Sequence, residues 1–386
     1  MRIAGAWLHD RGAQSLLAAL GDAGHTALFV GGCVRNAALA REVGDIDIAT
    51  DAHPDRVVDL SERAGFRALP TGIAHGTVTV VAHGTSLEVT TFRRDVETDG
   101  RRATVAFATD MEEDARRRDF TMNALYADAA GRVIDPLGGL GDLNERRVRF
   151  IGDARARIRE DYLRILRYFR FHAWYGDPMG GIDAEALAAC ADLADGLDRI
   201  SPERITSEMM KLLGAPDPAP SVASMEQAGI LGRIVPGGAT ATLGPLIHLE
   251  HTLGAPPDAS RRLAALGGEI GDLRLSRRET RRQALLRDGI GAGSGTAELA
   301  WRHSPEEARD VELLRAAAFS APLPADLEAR IARGAAARFP VSGRDLPQFS
   351  GPELGRRLAE LERRWIASGF ELDRDTLIAA GDDDGS

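Results

Sequence analysis

The apolar spacing changes period once along the chain, and that change limits the possible folds more than any other feature. From Ala27 to about Asp135, short apolar runs rich in β-formers alternate with helical stretches, among them Ala27–Val30, Asp45–Ala49, Thr77–Ala82 and Leu87–Phe92. From Arg155 onward the apolar residues recur at three and four, as in Leu163, Leu166, Tyr168, Phe169 and Phe171, and β-branched runs nearly vanish. The order predicts an α/β domain with a mixed sheet, followed by an all-helical remainder. At roughly 150 residues per domain, 386 residues make two or three domains. The breaker cluster Gly214–Pro220 predicts the end of one helix before Ser221 caps the next, and Pro236–Gly238 marks a second break. Further helices are predicted at Pro305–Phe319, Asp326–Ala337 and Pro352–Ser368, with Gly381–Ser386 frayed.

Composition removes several function classes. Two distant cysteines, Cys33 and Cys190, match no metal-ligand spacing and fit a reducing compartment. Met1–Leu20 lacks the order of a signal peptide, and no apolar run reaches the ~18 residues of a membrane span, so the expectation is a cytoplasmic protein without a membrane. A net charge of −10 excludes a protein that coats nucleic acid by bulk attraction. Any such contact needs a local patch, and Gly141–Arg170 offers one, with nine arginines against five acids.

In Gly44-Asp-Ile-Asp-Ile-Ala-Thr50 the period of two sends Ile46 and Ile48 to one face and Asp45 and Asp47 to the other. Two adjacent carboxylates repel unless a cation neutralises them, and oxygen-only ligands suit Mg²⁺, which takes its remaining ligands from water and substrate phosphates. A lone D-x-D is more often a solvated strand edge, so the pair needs company. Leu87 and Val89 alternate with Glu88, which offers a third carboxylate from another strand.

Upstream, Leu28-Phe-Val-Gly-Gly-Cys-Val-Arg-Asn36 reads as strand, Gly-Gly turn and helix start, where backbone N–H groups approach phosphate and Arg35 adds charge. It fits neither the Walker pattern nor G-x-G-x-x-G. Arg116-Arg-Arg118 by itself is a solvated charge run. Asp161 and Arg164, at i and i+3, would share a helical face and form an ordinary surface pair, and Arg167 and Arg170 continue the spacing. Leu163, Leu166 and Phe169 are assigned to core. Ser201-Pro202 starts a helix as N-cap and N1. His53, His75 and His172 lack partner spacing and are read as structural or surface residues, with His75 alone placed to line the first domain's cleft.

Four motifs in order, Gly31-Gly-Cys-Val-Arg35, Asp45-Ile-Asp47, Arg117-Arg-Asp-Phe-Thr-Met-Asn-Ala124 and Glu160-Asp-Tyr-Leu-Arg-Ile-Leu-Arg167, together resemble the bacterial class II tRNA nucleotidyltransferase and poly(A) polymerase family. The resemblance implies an α/β nucleotidyltransferase head over 1–145, a helical neck with a base-reading helix over 146–220, and a helical body and tail over 221–386 that hold tRNA. It implies that Asp45 and Asp47 bind two Mg²⁺, with Glu88 as their catalytic companion, for in-line transfer of a nucleotide to the RNA 3′-hydroxyl. Gly31, Gly32 and Arg35 would hold the triphosphate, and Arg118, beside Asp119 and helped by Arg117, would reach the nucleotide from the far side. Asp161 would accept from the exocyclic amino group shared by C and A while Arg164 donates to the ring nitrogen. Arg167 and Arg170 would contact phosphates or the base, and Ser201–Leu213 resembles the neck segment that braces that helix.

The function implied is addition of CCA to the tRNA acceptor end from CTP and ATP. Asp99-Gly-Arg-Arg102 reads as a flexible segment associated in the family with adding A after CC, which favours full CCA synthesis over CC-only or A-only addition. The nearest rival is a poly(A) polymerase, disfavoured by the acidic end Asp382–Asp384. A non-catalytic RNA-binding scaffold is a third reading, opposed by intact Asp45, Asp47 and Arg118. Asn36 stands where the family commonly has aspartate, which removes an ionic role there and leaves hydrogen bonding.

Overall fold

The computed structural model describes residues 1–73, 76–95 and 105–379. His75, Asp99–Arg102 and Gly381–Ser386 lie outside the described residues. The chain divides into two compact units, Met1–Ile234 and Val235–Ser386. The division falls beside the Pro236–Gly238 break.

The first unit holds strands β1 (Ala27–Val30), β2 (Ile46–Thr50), β3 (Arg67–Gly72), β4 (Thr77–Ala82), β5 (Thr85–Thr91), β6 (Arg93–Asp95), β7 (Val105–Phe107), β8 (Tyr126–Ala127) and β9 (Val133–Ile134). Seven of them form one sheet in the order β3-β4-β5-β2-β1-β8-β9, and β6 pairs with β7 as a separate ribbon. β2 and β5 run parallel while every other pair is antiparallel, so the sheet is mixed. Ile46, Ile48, Leu87 and Val89 are buried, as the alternation predicts, which leaves Asp47 and Glu88 on the opposite face. Helices Arg11–Asp22 and Pro54–Arg63 pack against β4 and β3.

Past Arg155 the described elements are helices. Asp153 caps Ala154–Glu160 by accepting from Ala156 N at 2.7 Å. Leu163–Tyr175 follows, its Leu163, Leu166 and Phe169 buried as assigned, and it packs on Pro202–Leu213. Ser201 is the N-cap of Pro202–Leu213 without a side-chain bond, so Pro202 at N1 carries the start. The next helix is Ala219–Gln227 and not one capped by Ser221. Ser221 lies inside it, buried, with its hydroxyl 2.7 Å from His172 Nδ1, because satisfying that buried ring outweighs capping. His172 is thereby structural, as read from the sequence.

In the second unit the predicted helices stand at Pro305–Phe319, Leu327–Ala336 and Gly351–Ala367. Ser304 caps the first of these, accepting from Glu307 N at 3.1 Å, with Pro305 at N1. The unit's buried Glu250 accepts from Arg261 Nε at 2.8 Å and Arg262 Nε at 2.9 Å, and Asp310 takes Arg261 Nη1 at 2.6 Å. No helix is long and apolar enough to cross a membrane among the described residues.

Candidate active site

Gly44 ends an irregular stretch, and β2 starts one residue after Asp45. Asp45 is therefore exposed at the strand's entry and Asp47 lies one pleat further in. The parallel β2–β5 register sets Asp47 opposite Glu88, and parallel partners share a face. Burial, then Glu88, pushes the Asp47 carboxyl up to about 6, with Asp45 adding and Arg118 and Arg35 opposing. The donor set is oxygen only, and its crowded negative charge fits a hard divalent cation. The three do not close into a protein cage, since among the described residues no three His, Cys, Asp or Glu side chains converge as ion ligands. An ion that draws its remaining ligands from water and phosphate needs no such cage.

The Gly-Gly turn joins β1 to the helix Gly32–Ala38. Gly31 adopts φ 70°, which favours glycine, and its N–H donates to Leu125 O at 2.9 Å. Its amide is thus not available to phosphate, contrary to the sequence reading. The glycine cap has no side chain to occupy the amides of the first turn, Gly32 among them. A Cβ on Gly31 would stand 3.5 Å from Arg118 Nη1, so the guanidinium of Arg118 lies against this turn. Turn, Asp47 and Arg118 are brought together.

Arg118 is held by a partner the sequence did not single out. Asp114, fully buried, accepts from Arg118 Nη2 at 2.9 Å, Arg117 Nε at 2.9 Å and Tyr126 Oη at 2.8 Å. Burial works against the charges, but the two arginines hold the Asp114 carboxyl down at about 2. Both spacings, i+3 and i+4, were legible as helix-surface pairs. Arg116, by contrast, is an exposed arginine paired with Glu112 at 2.9 Å, as the charge-run reading has it.

Arg35 is buried and does not reach outward. Its Nη2 donates to Tyr175 Oη at 2.7 Å and to Asn36 Oδ1 at 3.0 Å, its Nη1 donates to Asn123 Oδ1, and the guanidinium stacks 4.1 Å over the Tyr175 ring. Every guanidinium nitrogen already has a protein acceptor, so the triphosphate contact expected of Arg35 requires one of these bonds to be exchanged. Asn36 keeps a hydrogen-bonding role, its Nδ2 also donating to Glu42 O at 3.1 Å. Asp119 is likewise engaged. It accepts from Phe120 N at 2.8 Å, Asn123 Nδ2 at 2.9 Å and Arg167 Nε at 2.8 Å, so it orients Arg167 from a buried position.

The pair Asp161 and Arg164 does not share a helical face. Asp161 ends the helix Ala154–Glu160 in an extended conformation and accepts from Leu163 N at 3.1 Å, which starts the next helix. Its other oxygen accepts from Arg204 Nη2 at 2.6 Å. Arg164 donates to Arg157 O at 2.8 Å and pairs with Glu160. The short polar side chain outcompetes the backbone ladder, which splits one predicted helix into two. Arg170 Nε donates to the buried Glu208 at 2.6 Å, and Arg167 Nη1 stands 4.0 Å from the same carboxylate. Glu208, Arg204 and Tyr175 carried no local signal, since their partners are distant in sequence.

The arginine-rich stretch is also more nearly neutral than its composition. Arg147, Arg149, Arg155, Arg157, Arg164, Arg167 and Arg170 all pair with carboxylates.

The family described as the Poly A polymerase head domain matches residues 27–149, and that described as the probable RNA and SrmB-binding site of polymerase A matches 181–241. Mitochondrial CCA tRNA nucleotidyltransferase 1 of Mus musculus is 33% identical over 96% of this chain and 90% of its own length. The CCA-adding enzyme of Geobacillus thermodenitrificans is 43% identical, over 55% of this chain and 52% of its own. Among solved structures, the Bacillus stearothermophilus CCA-adding enzyme in complex with CTP aligns with a TM-score of 0.71 at 29% identity, covering 93% of each chain. The Thermotoga maritima CCA-adding enzyme complexed with tRNA shares the fold at a TM-score of 0.67 and 18% identity, covering 98% of each chain.

Proposed function

Because the chain belongs to the CCA tRNA nucleotidyltransferase family, we propose that Asp45 and Asp47 are the acidic centre of an enzyme that adds C, C and A to the 3′ end of tRNA from CTP and ATP, releasing pyrophosphate. The observation that carries the assignment is the gathering of Asp45, Asp47 and Glu88 at one sheet face with Arg118 and the Gly31–Gly32 turn beside them. Head, neck and tRNA-holding body and tail occupy 1–145, 146–220 and 221–386.

Divalent ions, Mg²⁺ by the oxygen-only donor set, would be held by Asp45 and Asp47, and when bound they lower the pKa of the RNA 3′-hydroxyl and offset the charge of the triphosphate. Glu88 sits next to Asp47 and keeps the local field negative. Arg118, aimed by Asp114, faces the phosphates across the turn, and Arg117 shares that anchor. The first-turn amides after Gly31 donate to phosphate oxygens. Asp161 accepts from the exocyclic amine of C or A, exchanging Arg204 for the base, while Arg164 donates to the ring nitrogen; G and U offer the inverse pattern. Arg167 and Arg170, anchored by Asp119 and Glu208, hold the base-reading helix in place. The compartment we propose is the cytoplasm, supported by two free buried cysteines.

The test is incubation with Mg²⁺ and tRNA transcripts lacking CCA, ending in CC, or complete, with each labelled nucleotide alone and with CTP and ATP together. The expected result is addition of C, C and A followed by arrest, lost in Asp45→Ala. An open-ended A tail would make the protein a poly(A) polymerase, CC without A a partial enzyme, and no incorporation an RNA-binding scaffold.

A further inference from the structure

Arg35 differs from the other arginines around the site in what it touches. It is 7% exposed, yet among the described residues its contacts are neutral: Asn36 Oδ1, Asn123 Oδ1, the Tyr175 hydroxyl and the rings of Tyr175 and Phe171. Arg117, Arg118, Arg167 and Arg170 each touch a carboxylate. The contrast shows in their acidities. Burial pulls Arg35 below the ordinary guanidinium value, Tyr175 and Asp119 opposing and Arg170 adding. Arg118 and Arg167 are buried too, but Asp114 and Asp119 lift them above it. Asp119 reaches Arg35 only through Asn123, and a buried cation with no carboxylate in contact is costly, a cost that falls when an anion arrives.

The position of that charge indicates where such an anion would sit. A Cβ on Gly32 would lie 3.8 Å from Arg35 Nη2, so the guanidinium stands directly behind the turn whose amides face the phosphates. Its field also reaches Asp47, whose carboxyl it pulls down. The residue best placed to neutralise it within the protein is the next one in the chain, and that residue is Asn36, already bonded to it at 3.0 Å.

We propose that Asn36 sets how tightly this enzyme holds polyphosphate: by giving Arg35 an amide in place of a carboxylate, it leaves a buried positive charge for the triphosphate of the incoming nucleotide, and for the departing pyrophosphate, to balance. The inference rests on the phosphate placement given above. Asn36 is a positioning residue, because it acts through Arg35.

The full-length protein, Asn36→Asp and Asn36→Ala are compared by kcat and KM for CTP, ATP and tRNA, by inhibition with inorganic pyrophosphate, and by calorimetric titration of pyrophosphate with Mg²⁺. One unit charge about 10 Å away at an effective dielectric near 20 corresponds to roughly tenfold in affinity. Asn36→Asp should raise KM for both nucleotides and weaken pyrophosphate by about that factor, leave the tRNA KM unchanged, and melt no earlier than the wild type. Asn36→Asp keeps an acceptor for Arg35 and loses only the donor to Glu42, whereas Asn36→Ala loses both without adding charge and should stay within about twofold of wild type for pyrophosphate. Equal shifts in the two variants, or an unmoved pyrophosphate affinity in Asn36→Asp, would overturn the proposal. Calorimetry needs no turnover, so an inactive wild type would defeat the assigned reaction while the charge argument was still decided.

Discussion

Asp114→Asn isolates the electrostatic anchor of the site, because it keeps the side chain's shape and removes its charge. Asp114 is 1% exposed and serves two arginines, a tyrosine hydroxyl and the Arg93 N–H. Its carboxyl is held at about 2 against an ordinary 3.8. At 1.36 kcal/mol per decade that gap is worth about 2 kcal/mol of stability in the ionised form, and burial leaves little solvent to screen it. A depressed carboxyl contributes fully above its unfolded value of 3.8 and loses its contribution as pH falls through about 2. Urea unfolding followed by tryptophan fluorescence should therefore find the variant less stable by about 2–3 kcal/mol at pH 7, the upper end reflecting arginines left buried without a partner. The difference should be flat from pH 7 to about 5 and begin to close only below about pH 4. Arg118 also loses its aim, so kcat for nucleotide addition should fall by roughly 100-fold, the scale of losing one charge-stabilising donor. A variant as stable as the wild type at pH 7, or one whose deficit grows on acidification, would refute the reasoning.

Glu208→Gln should weaken the hold on Arg170 and Arg167; we expect KM for CTP and ATP to rise about fivefold in steady-state incorporation, with tRNA KM unaltered. Glu250→Gln leaves two buried arginines of the second unit short of a counter-charge and should cost about 3–5 kcal/mol, seen as lost hydrogen-exchange protection in Leu243–Leu253 and Ala259–Leu266. Gly334→Ala would put a Cβ 1.9 Å from Ala297 O, forcing Leu327–Ala336 away from Thr296–Arg302; a loss of about 2–3 kcal/mol in thermal or urea unfolding is expected.

Legibility followed the range of the interaction. Strands Ala27–Val30 and Thr77–Ala82 and helix Pro305–Phe319 were read to the residue, since alternation and caps are local signals. The face of Asp47 followed from the same local alternation, and that of Glu88 from a second alternating strand, whereas Asp45 stands just outside β2, one residue before it starts. What failed was the fate of side chains whose partners arrive through tertiary packing. Arg35 reads as an outward phosphate ligand until Tyr175 and Asn123 meet it from 140 and 88 residues away. Asp161 reads as helical until its own side chain takes the Leu163 N–H and Arg204 arrives. Ser221 reads as a cap until a buried His172 claims the hydroxyl.

The arginines explain how a chain of net charge −10 can serve a polyanionic substrate. An arginine fork matches a carboxylate in two bonds, so a protein rich in both can use the pair as an internal strut and present little net field there. Between Asp142 and Glu208 the first unit does this repeatedly, joining helices through Arg155 and Arg170 and tying the loop residue Arg149 to the helix Gly139–Asn144. Such struts give no attraction to RNA at a distance, and they keep the surface from binding nucleic acid indiscriminately. Selectivity for phosphate then falls to the few places where a cation is buried without its carboxylate or where helix amides lie open. Arg35 behind the Gly31–Gly32 turn is both at once, and it stands within electrostatic reach of Asp47. The candidate site is thus positive at Arg35 and negative at Asp47, with only one short turn between the two signs.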